Sequence, residues 1–149
     1  MKIRGLHEHE QAPMDLLLLA DPSPEKIEDY VNKGECFLAE KDGEMIGVYV
    51  LLPIRIGVVE LVNIAIREEQ QGNGLGKQLV MDAIQRAKRK YKVIEVGTGN
   101  SSIGPLALYQ KCGFRIIGID RDFFIRHYQQ KIVENGIQCR DMIRLSLDL

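Results

Sequence analysis

The chain has 149 residues, 45% of them hydrophobic and 28% charged, with a formal net charge of −1. That is enough for one domain, spanning 1–149, that buries about 70% of its unfolded surface, and too balanced for any global drive toward nucleic acid or an anionic membrane. No apolar run reaches the ~18 residues of a membrane helix, the run at 14–20 being far too short, and the start of the chain lacks a cleavable secretory pattern, so a cytoplasmic location is the expectation.

In chain order, residues 2–6 read as a short edge strand, and 11–20 and 23–33 as helices separated by Asp21-Pro22-Ser23-Pro24. Ser23 is placed to cap the second helix with Pro24 at its first position, and Gly34 ends it. Residues 35–41 and 44–52 form a hairpin across Asp42-Gly43, a strong short turn signal. A strand follows at 58–66, rich in β-branched residues. From Leu75 to about residue 90, Leu75, Leu79, Ala83 and Ala87 recur every four residues, widened by Val80 and Ile84, as one face of an amphipathic helix. Arg86, Lys88, Arg89 and Lys90 close that helix, where cations complement its dipole; a basic patch for nucleic acid is the rival reading. A strand at 93–98, a helix at 104–112 and a strand at 114–119 come next. Residues 122–134 read as helical, Asn135-Gly136 as a turn and 139–147 as a last strand.

The chemistry concentrates in Gln70-Gln71-Gly72-Asn73-Gly74-Leu75-Gly76, between the strand at 58–66 and the helix. A glycine-rich turn entering a helix presents unpaired backbone N–H groups at the positive end of the dipole, which suits a phosphate or pyrophosphate. A P-loop is excluded because Gln78, not Ser or Thr, follows Gly76-Lys77. The dinucleotide fingerprint fails because position 77 is Lys where a third glycine is needed. The remaining pattern is Gln/Arg-x-x-Gly-x-Gly/Ala, met by Gln71, Gly74 and Gly76. With Leu106-Ala107-Leu108-Tyr109-Gln110-Lys111-Cys112-Gly113-Phe114 about thirty residues further on, it resembles the two signatures of the GNAT acetyltransferases. The resemblance is sharp over residues 58–115 and follows the order of elements along nearly the whole chain.

That resemblance implies an α/β GNAT fold, a mixed, mostly antiparallel, twisted sheet of about seven strands with helices on both faces. It implies acetyl-CoA as cosubstrate and direct transfer of the acetyl group to an amine. The pyrophosphate would lie on the backbone of Gly72, Asn73, Gly74, Leu75, Gly76 and Lys77 beside Gln71, and the pantetheine arm would pair with the main chain of Ile64, Ala65 and Ile66. Tyr109 matches the family tyrosine that gives a proton to the leaving thiolate. Glu60 matches the glutamate that relays the amine's proton, with a solvated strand-end carboxylate as its alternative. The N–H of Ile64 is the candidate oxyanion donor. One departure stands out: the family often has Asn seven residues before the tyrosine, where this chain has Ser102. Either Ser102 substitutes or Asn100 reaches in, and Asn100-Ser101-Ser102 also reads as a plain helix cap.

Cys36, Cys112 and Cys139 are widely spaced, form no Cys-x-x-Cys or Cys/His cluster, and point to no metal. They read as small buried hydrophobes in a reducing compartment. Cys112 lies in the second signature but has no histidine placed to activate it, so a covalent acyl-enzyme is rejected. His7, His9 and His127 read as surface residues. Residues 121–128, with Phe123, Phe124 and Tyr128, lie where the superfamily often shapes its acceptor site or a dimer contact, which leaves a homodimer open. The acceptor is expected to be the primary amine of a small molecule, because no basic or docking segment serves a macromolecule. The competing readings are a protein or peptide amine, a non-catalytic acyl-CoA sensor and a nucleotide-binding regulator.

Overall fold

The computed structural model of the protein describes residues 1–149. Seven strands form one sheet: β1 (Lys2–Gly5), β2 (Glu35–Lys41), β3 (Glu44–Arg55), β4 (Val58–Ile66), β5 (Val93–Gly99), β6 (Arg115–Asp120) and β9 (Met142–Asp148). Their spatial order is β1-β2-β3-β4-β5-β9-β6. Every neighbouring pair is antiparallel except β4 and β5, which run parallel. The short strands β7 (Val133–Glu134) and β8 (Ile137–Gln138) make a separate hairpin around Asn135-Gly136.

Helices α1 (Met14–Ala20) and α2 (Pro24–Lys33) pack on one face, where Leu16, Leu17, Ile27 and Tyr30 meet Leu38, Val48 and Val50 of the sheet. Helices α3 (Leu75–Ala87) and α4 (Ile103–Lys111) cover the other face, where Leu79, Val80, Ala83, Ile84 and Tyr109 pack on Val59, Leu61, Ile94 and Leu145. The expected helices on both faces of a seven-stranded, mostly antiparallel sheet are thus present. The signals that were local held: Ser23 Oγ accepts from Lys26 N at 3.3 Å with Pro24 in the first turn. Asp42 and Gly43 both take positive φ in the β2–β3 turn.

Several boundaries moved. Helix α1 begins at Met14, not residue 11, because Pro13 disfavours helical backbone at Ala12 and itself becomes the cap. Helix α3 ends at Ala87, and residues 88–90 turn out of it. The expected helix over 122–134 is a correction: only α5 (Phe123–His127) is helical. Tyr128 leaves the helix in extended conformation, and its hydroxyl donates to Asp21 Oδ1 at 3.0 Å, a long-range contact that outweighs the local periodicity. Cys139 N then donates to Ile132 O, which draws this segment alongside the hairpin. The last strand starts at Met142, three residues later than its apolar pattern implied.

Two features of β4 open the molecule. Parallel pairing with β5 covers only Val58 to Leu61 against Val93 to Val96, after which β5 stays with β9 and the two strands part. Opposite β3, Val50 faces Asn63 and Leu51 faces Leu61, so Val62 is an extra, bulged residue. A wedge results at the centre of the sheet.

Candidate active site

The β4 edge facing the wedge keeps free backbone groups. Arg67 N donates to Ile46 O at 2.8 Å, and Ala65 and Asn63 lie opposite Val48 and Val50. Hydrogen-bonded pairs alternate along an antiparallel ladder, so Ile64 and Ile66 turn their N–H and C=O away from β3, toward the wedge. Gln71 Nε2 takes up the Ile66 carbonyl at 2.9 Å and so ties the glycine loop to the end of the strand. Between them lies a single 3₁₀ turn at Glu68–Gln70.

Gly74 caps α3 with φ of 77°, in the left-handed region. No side chain caps the helix, no acidic residue stands in its first turn, and its first internal bond is Gln78 N to Gly74 O. The N–H groups of Leu75, Gly76 and Lys77 are therefore left to other partners. Asn73 points back, its Nδ2 donating to Gln70 O at 3.3 Å. A groove of about 540 Å³ runs from Gly72 and Gly76 along Ile64, Ala65 and Ile66 to Pro105, Leu108 and Tyr109. Of the strand and loop residues singled out in the sequence, Ile64, Ala65, Ile66, Gln71, Gly72 and Gly76 line this groove with Tyr109, while Asn73, Gly74, Leu75 and Lys77 do not.

Tyr109 is 5% exposed, packs edge-on to Phe114, and has its hydroxyl pKa pushed up to about 12 by burial, with the Cys112 thiol adding a little. It stays protonated at neutral pH and is a donor, not a base. Cys112 is half-buried, and burial raises its thiol pKa against the pull of Lys77, so little thiolate forms.

Glu60 is half-buried on β4, opposite Leu52 and beside Glu95 of β5. Burial pushes its carboxyl pKa up; the charge of Arg144 pulls it back and Glu95 pushes it further up. It lines neither the groove nor the cavity beyond it, standing one residue before the wall residue Leu61. A carboxyl whose folded pKa exceeds its unfolded one loses stability as pH rises through that folded value. Glu60→Gln should therefore raise the melting temperature at pH 8 by more than at pH 4; equal shifts at both pH values would mean that the carboxyl ionises freely.

Asn100 is not in the groove. Its Nδ2 donates to Gln138 O at 3.1 Å, and its Oδ1 accepts from Arg140 N at 2.8 Å and Asp141 N at 3.0 Å, so the side chain clamps the approach to β9. Ser102 is the nearer of the two: its Oγ donates to Glu134 Oε1 at 3.0 Å, and the residue lines the second cavity. It precedes α4 without capping it through its side chain.

That second cavity, about 180 Å³, fills the wedge between residues 61–64 of β4 and Gly97-Thr98 of β5. It shares Ala20, Ile64, Pro105 and Tyr109 with the groove. Its lining includes Phe124 and Tyr128, from the segment expected near the acceptor or a dimer contact, and two residues the sequence reading passed over, Asp21 and Asn63. Asn63 carried a signal, being a polar residue inside an otherwise apolar strand. Asp21 carried none, since it sits in a link that reads as a helix boundary.

Residues 4–114 match the Acetyltransferase (GNAT) family. The chain is 61% identical over 136 residues to a Bacillus subtilis protein named uncharacterized N-acetyltransferase YvbK, covering 91% of this chain and 88% of that one. Among solved structures, a GNAT family acetyltransferase from Elizabethkingia anophelis with acetyl-CoA bound superposes with a TM-score of 0.97 at 49% identity, over 99% of this chain and 97% of the other. A Bacillus subtilis acetyltransferase in complex with CoA gives 0.95 at 57% identity, over 99% and 98%. With a family match spanning most of its length and the family's strand, glycine loop and tyrosine gathered around one groove, the chain belongs to the GNAT family of N-acetyltransferases.

Proposed function

We propose that the protein moves an acetyl group from acetyl-CoA directly onto the primary amine of a small molecule. The observation that carries this reading is the junction of the two spaces: the groove beside the glycine loop and the cavity in the wedge meet at Ile64 and Tyr109. A thioester laid along the groove and an amine held in the cavity would face each other there.

Acetyl-CoA supplies the activated acetyl group; the protein positions it. The N–H groups of Leu75, Gly76 and Lys77, with the loop backbone of Gly72, Asn73 and Gly74, receive the pyrophosphate. The wedge-facing main chain of Ile64 and the N–H of Ile66 pair with the pantetheine amides as an added strand would, with Ala65 between them and Ser102 at the far end. The N–H of Ile64 donates to the oxygen that gains charge as the amine attacks. Tyr109 gives its proton to the departing sulfur. Glu60, with its raised pKa, accepts the amine's proton through water, since it stands one residue behind the cavity wall. Free cysteines at 36, 112 and 139 go with a reducing, cytoplasmic setting. A homodimer goes with the edge strand β6, whose Ile116, Ile117 and Ile119 are more than half exposed; a solution mass of twice 16.9 kDa would support it and a monomer mass would refute it.

The roles of Tyr109 and Glu60 separate kinetically. Tyr109→Phe should lower kcat about 10- to 100-fold and leave the KM for acetyl-CoA nearly unchanged, the modest size reflecting a thiolate that already leaves well. For wild type, kcat/KM should rise with pH as Glu60 loses its proton, above the ordinary carboxylate range, and again near the amine's own pKa. Glu60→Gln should remove the first limb and keep the second. An unchanged profile in Glu60→Gln would assign the base elsewhere.

A further inference from the structure

The cavity in the wedge holds one charged lining residue, Asp21, and no Lys, Arg or His. Its carboxylate is held by neutral donors from three places in the chain. Asp21 Oδ1 accepts from Ser23 N at 3.1 Å and from the Tyr128 hydroxyl at 3.0 Å, and Oδ2 accepts from the Tyr30 hydroxyl at 3.1 Å. Burial keeps both tyrosines protonated, so each remains a donor. Asp21 takes part in no salt bridge; Lys26, the cation beside this cluster, lies over the Tyr128 ring 5.4 Å from its centroid. The carboxylate is thus oriented but has no counter-ion.

Asn63 lines the same cavity. Its Nδ2 donates to Leu17 O at 3.1 Å and to the Tyr30 hydroxyl at 2.8 Å. Flipping the amide would set its oxygen against the Leu17 carbonyl, so the orientation is fixed. Asn63 is 3% exposed, and its Oδ1 is the protein's one fully buried side-chain polar atom without a partner. Such an atom is an unmet demand for an N–H or O–H donor. The remaining walls are mostly apolar and aromatic, Leu61, Val62, Pro105, Met142 and Phe124 among them, the last stacked on Tyr128 with ring centroids 5.7 Å apart; Thr98 and Ser102 add hydroxyls.

We infer that this cavity takes the acceptor as a protonated primary amine on an apolar or aromatic body without a carboxylate, its ammonium countered by Asp21 and one N–H accepted by Asn63 Oδ1. The inference rests on the acetyltransferase reading and names its substrate class. An amino acid is disfavoured because its carboxylate would meet Asp21 with no cation to receive it. On transfer the C–N bond forms and the C–S bond breaks. Of the two protons the ammonium loses, one passes through water to Glu60 and on to solvent, and the other replaces the proton that Tyr109 gives to the departing thiolate.

The test compares phenethylamine with phenylalanine, the same body with and without the carboxylate, at saturating acetyl-CoA. Wild type should favour phenethylamine by about 100-fold or more in kcat/KM. Asp21→Asn should lower kcat/KM for phenethylamine about 10- to 100-fold, chiefly through its KM, with the KM for acetyl-CoA unchanged. Tyr128→Phe, which removes one hydrogen bond and keeps the ring, should raise the amine KM a few-fold and covers the case in which Asp21→Asn does not fold. Equal use of phenylalanine, no turnover of phenethylamine, or an unaltered amine KM in both variants overturns the inference. Acetyl-CoA titration tells the two failures apart: if acetyl-CoA binds and other amines are acetylated, only the substrate class falls, whereas absence of acetyl-CoA binding removes the transferase reading as well.

Discussion

Gly74→Glu should abolish measurable acetyl-CoA binding, weakening it by ~100-fold or more, while the protein stays folded. A β-carbon at position 74 meets no protein atom within 4 Å, so packing tolerates the change. The backbone there has φ of 77°, which costs an L-residue about 1–2 kcal/mol. That strain is small for a domain this size. The effect on the ligand is larger, because a carboxylate would stand where the free N–H groups of Leu75 to Lys77 converge, and like charge at a phosphate site costs several kcal/mol. Gly74→Ala separates bulk from charge and should bind more weakly than wild type but better than Gly74→Glu. Binding by Gly74→Glu at wild-type strength would move the pyrophosphate away from this helix terminus.

A large loss of stability from a single added methyl group should come from Gly34→Ala. Gly34 closes α2 with φ of −111°, an ordinary value, so its backbone angles do not require glycine. Space does: a β-carbon would sit 2.5 Å from Leu51 O and 3.0 Å from Tyr30 O, both backbone atoms, the first in β3 between β2 and β4 and the second accepting from Gly34 N at 2.8 Å. Relieving that overlap means moving α2 off β3, a cost of about 2–3 kcal/mol after allowing for alanine's smaller unfolded-state entropy. For a chain of this length the melting temperature should fall by about 5–10 °C. Gly57→Ala, with nothing within 4 Å but a φ of 75°, is the comparison for strain alone. A fall for Gly34→Ala no greater than for Gly57→Ala would show that α2 shifts freely.

These two glycines also mark what the sequence discloses. The turn at Gly74 was legible because its geometry is local: a turn, a helix start and a fixed spacing of residues. The Ser23-Pro24 helix start and the Asp42-Gly43 turn were legible for the same reason. Gly34 was read as a helix stop, and it is one, but its reason lies at Leu51, seventeen residues away on another element. Asn100 shows the same limit at the site. Motif spacing left it level with Ser102, and its partners at Gln138, Arg140 and Asp141, about forty residues on, decided where its amide points. The bulge at Val62 and the parting of β4 from β5 depend on three strands at once. Asp21 gained its setting only when Tyr30 and Tyr128 arrived from two other elements. Periodicity failed where a tertiary bond competed with it, as at Tyr128, whose hydroxyl bond to Asp21 accompanies the end of α5.

The most direct test of the account is thiol release from acetyl-CoA by the purified protein across amines, polyamines, amino acids, aminoglycosides and peptides, with the acetylated product weighed by mass spectrometry. The account predicts amine-dependent release, a product heavier than the amine by one acetyl group, and loss of both in Gly74→Glu. Acetyl-CoA bound tightly with no turnover on any acceptor would contradict it.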